Sequence, residues 1–207
     1  MTITRHLDDA TLMSFAAGSL PGALAAVAAA HVAMCARCRG EVAILERIGG
    51  ALLTSLPEVA MVRPGPATPE IGGLQKAPAP SGEVPPPLMR FVGGNLDAVR
   101  WRWIAPGLWH RPLPIRGDGS LHLIKGASGV KVPEHDHGGS ELTLVLRGAL
   151  IDATGRYGPG DVADVDEEVE QHTPAADAAG CICVVANEQP TRFRGGLARL
   201  LRPWHGL

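Results

Sequence analysis

The stretch Gly129–Gly148, GVKVPEHDHGGSELTLVLRG, decides the fold of the larger part of this chain. It combines an alternating strand pattern with two histidines and a glutamate. Because successive side chains of a strand point to opposite faces, His135 and His137 share one face, and the Gly138–Gly139 turn lets Glu141 return to it. Imidazole and carboxylate groups that converge in this way predict a metal site on a β scaffold.

The sequence around this stretch continues the β pattern. From about Leu88 to Pro190, short alternating or β-branched segments are punctuated by Gly, Pro and Asp, which predicts an all-β barrel or sandwich. The quoted stretch has the spacing Gly-x5-His-x-His-x3-Glu-x6-Gly. It resembles the first motif of the cupin family, whose members form a double-stranded β-helix or jelly-roll barrel.

The cupin resemblance implies a fourth metal ligand on a later strand. His172 is the candidate, because it follows the turn-like segment Gly158–Asp161, although at a longer spacing than is usual. Three histidines and one glutamate accept zinc or another divalent transition metal, and the residue types do not choose among them. The alternative is a cupin that has kept its shape and lost its metal.

The amino-terminal part has a different composition, rich in Ala and Leu between Asp8 and Leu56. Capping signals predict a first helix that begins at Asp8 or Asp9 and ends before Gly18. Pro21 suits the first turn of a second helix that runs to about Cys35, and a third helix is expected from about Cys38 to Leu53. A helical domain with so few large side chains has a marginal core that a structural metal would stabilise.

His31, Cys35 and Cys38 form His-x3-Cys-x2-Cys, and on a helix these offsets place the three side chains on one face. A closed structural zinc site needs four ligands, and His6 is the only other histidine in this part of the chain. The four residues therefore predict a structural zinc site. The alternative is a helical histidine beside two small buried cysteines.

These four residues resemble, position by position, the ligand pattern of the zinc-binding anti-sigma domains. That resemblance implies that the helices hold an extracytoplasmic-function (ECF, group IV) sigma factor in a protein–protein complex. A zinc domain of this kind followed by a cupin resembles the anti-sigma factors of the ChrR type over almost the whole chain. It implies a regulator of transcription that releases its sigma factor when the cupin senses an oxidative signal such as singlet oxygen.

The expected architecture is therefore α+β with two domains. Residues 1–56 form the small all-α zinc domain, residues 88–190 form the all-β cupin sensor, and residues 191–207 are a carboxy-terminal tail. The Pro-rich composition of residues 57–87 predicts a semi-rigid linker. The anti-sigma family has a further helix at this point, for which Glu58–Arg63 is the candidate here.

Charge and hydropathy exclude several classes of function. Asp and Glu (21) slightly outnumber Lys and Arg (19), and no basic run occurs, so we expect no direct contact with nucleic acid. No apolar stretch approaches the ~20 residues of a membrane span, and the first residues lack a signal-peptide pattern. We therefore expect a cytoplasmic protein without membrane contact.

The second cysteine pair, Cys181 and Cys183, lies two residues apart on one predicted strand. These residues are interpreted as small core side chains or, alternatively, as a redox pair. A rival function for the whole chain is a cupin metalloenzyme, such as a metal-dependent dioxygenase, with a helical accessory domain. We expect a regulator and not an enzyme, and sustained turnover with O₂ would distinguish the two.

Overall fold

The computed structural model describes residues 2–59, 82–115, 117–132, 135–136, 139–166, 173–189 and 192–193. The helices in these ranges are α1 (Asp9–Ala16), α2 (Gly22–Met34), α3 (Ala36–Thr54) and α4 (Pro86–Val92). The strands are β1 (Arg102–Ala105), β2 (Leu108–Leu113), β3 (Ser120–Gly126), β4 (His135–Asp136), β5 (Glu141–Asp152), β6 (Gly155–Tyr157), β7 (Val162–Val165), β8 (Ala175–Asn187) and β9 (Arg192–Phe193). Helices at the amino terminus followed by an antiparallel sheet confirm the predicted fold class.

The ends of the helices follow from local chemistry. The carboxylate of Asp8 accepts a hydrogen bond from the Thr11 amide at 2.6 Å and caps α1, as predicted. The chain leaves α1 through Gly18, which has the left-handed φ of +69° that favours glycine. Between α2 and α3, Cys35 alone is extended, and the guanidinium of Arg39 donates to the carbonyls of Val32 and Ala33 at the end of α2.

The break at Cys35 lies close to the predicted helix limits, but it corrects the expectation that one helix face holds the three ligands. His31, Cys35 and Cys38 do not lie along one continuous helix: His31 is on α2, Cys38 is on α3, and Cys35 is the joint. Offsets of four and three are compatible with a single helix face, but they do not require one. The three side chains converge because the two helices meet at this joint.

The sheet is antiparallel, with strand order β1-β2-β3-β8-β5-β6, and β7 pairs with β5 beside this path. A separate two-stranded sheet joins β4 to β9. In β5 the register shifts near Gly148, whose φ is +73°. A Cβ at this position would clash with the carbonyl of Gly180, so the bulge requires glycine.

The helices and the outer face of the sheet share one hydrophobic core. Leu24, Val27 and Ala28 of α2 belong to the same buried cluster as Leu123 of β3 and Leu144 of β5. Helix α2 is buried on nearly every side, and its many alanines permit this close approach. Val84 and Leu88 are also fully buried in this core, so the chain has returned to it before the first strand.

Within the described ranges, the structure contains no helix that is both long and apolar enough to cross a membrane.

Candidate metal centre

His6, His31, Cys35 and Cys38 converge at the junction of α1, α2 and α3. One ligand atom from each lies within 4.8 Å of the others, and His31, Cys35 and Cys38 are buried. The Nε2 atom of His31 lies 3.3 Å from Sγ of Cys38, and Nδ1 of His6 lies 3.3 Å from Sγ of Cys35 and 3.7 Å from Sγ of Cys38. The residues that the sequence proposed as zinc ligands are thus brought together.

The spacing of these atoms fits a tetrahedral zinc ion. Zinc–sulfur and zinc–nitrogen bonds of about 2.3 and 2.0 Å, set at the tetrahedral angle, separate the two ligand atoms by about 3.5 Å. The three nitrogen–sulfur distances fall on either side of that value. Two imidazoles and two thiolates are also a ligand set that zinc prefers. The donor set and the geometry both fit a closed structural site.

The protonation of these groups depends on burial. Burial, together with the neighbouring Cys35, raises the pKa of the Cys38 thiol to about 11. Burial, opposed by a hydrogen bond to the Gly160 carbonyl, lowers the pKa of His31, so its imidazole is neutral and can coordinate a cation. Two thiolates this close to one another need a compensating positive charge, which a divalent ion supplies when bound.

The imidazole of His31 also contacts the sheet domain. Its Nδ1 atom lies 2.9 Å from the carbonyl oxygen of Gly160, in the turn before β7. That hydrogen bond requires the proton on Nδ1 and leaves Nε2 as the coordinating atom. The turn of the cupin therefore orients a residue of the helical site.

The predicted cupin site is described only in part. Glu141 is buried in β5 with 4% of its surface exposed, and its carboxylate accepts a hydrogen bond from the Thr143 hydroxyl at 3.0 Å. His135 lies in β4, where its backbone pairs with Phe193, while His137 and His172 lie outside the described residues. Glu141 lies beside Val165 of β7 and Asn187 of β8 in the sheet register.

Cys181 and Cys183 lie inside the sheet, each about 5% exposed. A hydrogen bond with Cys181, followed by burial, raises the pKa of the Cys183 thiol well above its usual range. The thiolate is the reactive form of cysteine, and this environment disfavours it. The burial of both side chains, together with the raised pKa of Cys183, favours a packing role for this pair.

Two buried histidines escaped the sequence analysis because they belong to no motif. His110 of β2 and His122 of β3 are almost completely buried, with ring centroids 6.2 Å apart and nearly parallel planes. Burial and the charge of Arg102 lower the pKa of His110, which favours a neutral ring. The alternation of side chains along β2 and β3 could have indicated that they lie together, since both residues occupy the same face of the sheet.

Helix α3 carries an apolar face without a partner among the described residues. Only Cys38 and Val42 of this helix are buried, and every residue from Glu46 to Thr54 is exposed. Ile48, Leu52 and Leu53 are 53%, 64% and 69% exposed. Ile44 on the same helix, Leu56 and Val59 after it, and Met13 of α1 are similarly exposed. An exposed apolar helix face such as that of Ile44, Ile48 and Leu52 is typical of a protein-binding site.

Comparison with known proteins relates this geometry to a family. The chain is 38% identical to the anti-sigma-E factor ChrR of Cereibacter sphaeroides over 211 residues, with 99% of each protein covered. It belongs to the ChrR family of anti-sigma factors. The family model described as a ChrR cupin-like domain matches residues 90–191.

A solved structure agrees with this assignment. The crystal structure of Rhodobacter sphaeroides SigE in complex with the anti-sigma ChrR contains a chain that is 37% identical to this one. The match has a TM-score of 0.74 and covers 90% of this chain and 99% of the other. Membership of the family implies a regulatory role, and the fold match extends over both the helices and the sheet.

Proposed function

We propose that this protein binds an ECF (group IV) sigma factor through its amino-terminal helices and holds it inactive. The exposed apolar face of α3 is the observation that carries this proposal. Its relative ChrR is named as an anti-sigma-E factor, and the matching crystal structure is of a complex with SigE. A partner that acts on RNA polymerase is found in the cytoplasm, where we expect this protein to act.

The apolar face of α3 has the properties of a helix that docks into a partner. Residues Ile44, Ile48 and Leu52 follow one another at intervals of four, so they form a single stripe along the helix. Complete burial of a fully exposed side chain of this size stabilises by about 1.5–3 kcal/mol. Because these three are only a little more than half exposed, each would contribute roughly half of that before the entropic cost of binding is subtracted. The bound helices would inhibit the sigma factor by covering its polymerase-binding or promoter-binding surface.

We propose that one structural zinc ion is bound by His6, His31, Cys35 and Cys38. When bound, the ion supplies the cross-link between α1, α2 and α3 that small side chains alone cannot provide. His31 is held by the Gly160 carbonyl, and Cys38 accepts a hydrogen bond from the Leu7 amide. These contacts place the ligand atoms before the metal arrives.

The cupin domain, residues 88–190 in the proposed division, is the proposed sensor. Glu141, with His135, His137 and His172, would hold a second divalent transition metal there. An oxidant such as singlet oxygen that acts at this site or at Cys181 and Cys183 can release the sigma factor only by changing the relative free energies of the bound and free states. Residues 57–87 and 191–207 are proposed as linker and tail.

Isothermal titration of the full chain with the ECF sigma factors of its own genome tests the proposal. We expect one of them to bind in a complex of one to one, and to be displaced from the complex by oxidant. Binding to none of them, combined with sustained O₂ consumption in the presence of a small-molecule substrate, would support the rival cupin enzyme instead.

A further inference from the structure

The amino-terminal segment that carries His6 lies along β7 of the sheet domain. The carboxylate of Asp161 accepts hydrogen bonds from the backbone amides of Thr4 and Arg5, at 2.6 and 3.0 Å. The carboxylate of Asp164 accepts one from the amide of Asp8 at 3.0 Å. Backbone amides on both sides of His6 therefore donate to carboxylates of β7 and of the residue before it.

The same turn holds a second ligand of the site. The Gly160 carbonyl accepts the hydrogen bond from Nδ1 of His31. Gly160 has a φ of +87°, a conformation that side chains rarely adopt, so glycine is required to aim this carbonyl. The other oxygen of Asp161 accepts from the Gly158 amide at 2.8 Å and closes the turn. The turn therefore contacts the imidazole of His31 directly and the segment that carries His6 through its backbone amides.

Strand β7 joins this turn to the predicted cupin site. It begins at Val162, next to Asp161, and ends at Val165, which lies opposite Glu141 of β5. Residues 167–172, which include His172, follow β7 in the chain and lie outside the described residues. A displacement of β7 along or away from β5 would therefore move Gly160 and Asp161 as well, because only three residues separate Asp161 from Val165.

We propose that the turn Gly158–Asp161 and strand β7 form the outer shell of the His/Cys site and transmit changes at Glu141 to it. Asp161 acts as a positioning residue for His6, and the Gly160 carbonyl does so for His31. The sensor thus reaches the sigma-binding helices through folded contacts and not through the linker. This inference rests on the proposed function and adds the route of regulation.

Cobalt substitution tests the positioning role in the full-length protein. Thiolate-to-cobalt absorption reports only a site that contains cysteine, so a metal bound by histidines and Glu141 does not interfere. Outer-shell changes typically cost 10–100-fold in metal affinity. We expect Asp161→Asn to weaken cobalt binding at the thiolate site about tenfold or more and to alter the absorption bands.

The matched control is Asp177→Asn, which makes the same change of charge in the sheet domain. The carboxylate of Asp177 is bound by Arg156 and by the Ala178 amide, so we expect wild-type cobalt affinity and bands. A folded Asp161→Asn protein with the cobalt affinity and spectrum of the wild type would overturn the inference.

A measurement on the unmodified protein is decisive if Asp161→Asn does not fold. Saturation of the thiolate site with cobalt should slow hydrogen exchange at the amides of Thr4, Arg5 and Gly158, all of which donate to Asp161. Exchange at these three amides that is unchanged by cobalt would contradict the inference.

A double-mutant cycle tests transmission along β7. Glu141→Gln should change cobalt affinity at the thiolate site several-fold in the wild-type background and have no effect in the Asp161→Asn background. Equal effects in both backgrounds would show that β7 and Asp161 carry no coupling. A chain that binds neither cobalt nor a sigma factor contradicts the proposed function, whereas one that binds both but is indifferent to Asp161 contradicts only this inference.

Discussion

At the scale of the residue, we expect the two cysteines of the proposed zinc site to determine whether the helices fold. Cys35→Ser with Cys38→Ser removes both sulfur ligands, so we expect the zinc content of this site to fall from one ion per chain to none. Loss of helical circular dichroism and of sigma-factor binding should follow, because the helical region alone has a small core.

Cys181→Ser is the control for this change. Cys181 is also buried, but it lies in the sheet and outside the cluster, so the His/Cys site should keep its zinc. Metal analysis by mass spectrometry and far-ultraviolet circular dichroism measure the two outcomes. A folded double variant with full zinc content would refute the assignment of the ligands.

Single residues also show what could be predicted from the sequence at this site. His31, Cys35 and Cys38 lie close together in the chain, so their ligand chemistry and spacing predicted that they would meet. Gly160 and Asp161 could not be predicted as their neighbours. The hydrogen bond between His31 and Gly160 spans 129 residues, and no local pattern encodes a contact at that distance.

At the scale of the element, we expect the exposed apolar stripe of α3 to bind the sigma factor. Ile48→Asp places a charge in the centre of this stripe and should weaken sigma-factor binding at least tenfold, as loss of a central interface residue typically does. The melting temperature should change little, because Ile48 is 53% exposed. Isothermal titration and thermal unfolding measure the two effects.

Ile151→Asp makes the same substitution at an exposed position on β5, where 39% of the side chain is accessible. This variant should bind the sigma factor as the wild type does. Equal affinities for Ile48→Asp and the wild type would exclude α3 as the binding element.

Strand β7 carries a carboxylate whose environment opposes ionisation. Burial raises the pKa of Asp164, so the folded state binds this proton more tightly than the unfolded chain does. Stability from this group is therefore lost as the pH rises from the usual carboxylate range through the raised pKa. We expect Asp164→Asn to melt at a higher temperature than the wild type at neutral pH, with the gap closing in acid.

Asp177→Asn should behave in the opposite way. The Ala178 amide, followed by Arg156, lowers the pKa of Asp177, so its ionised form stabilises the folded state above the usual carboxylate range. The variant should melt at a lower temperature than the wild type at neutral pH and approach it in acid. Melting curves across this pH range measure both effects. A shift in melting temperature opposite in sign to the expected one, in either variant, would contradict the assignment for that residue.

For helix α2, the sequence predicted the limits of the helix but not its burial. Its existence and approximate limits followed from Pro21, its alanines and Cys35. Its burial did not, because Ala-rich helices have no clear apolar stripe to point at a partner layer. The outer face of the sheet, with Leu121, Leu123 and Leu144, supplies the large side chains that α2 lacks.

At the scale of the whole molecule, the shared core predicts the behaviour of a fragment. Residues 1–85 retain the four candidate zinc ligands and α3, so we expect the fragment to bind the sigma factor. It lacks Asp161, Gly160 and the sheet face that covers α2, so it should unfold at a lower temperature and release zinc faster than the full chain. Calorimetry and zinc release measured with a colorimetric chelator test this. A fragment as stable as the full chain would show that the shared core contributes little.

The hydrogen bonds between Thr4 and Asp161 join residues 157 positions apart. During synthesis on the ribosome, the helices and their cysteines emerge long before β7 exists. The amino-terminal segment can therefore form its contacts with β7 only after most of the chain has been synthesised. Formation of these contacts is a late step of folding. Under the proposed function, a nascent chain can bind a sigma factor before the proposed sensor domain has been synthesised, so inhibition would precede the ability to be relieved.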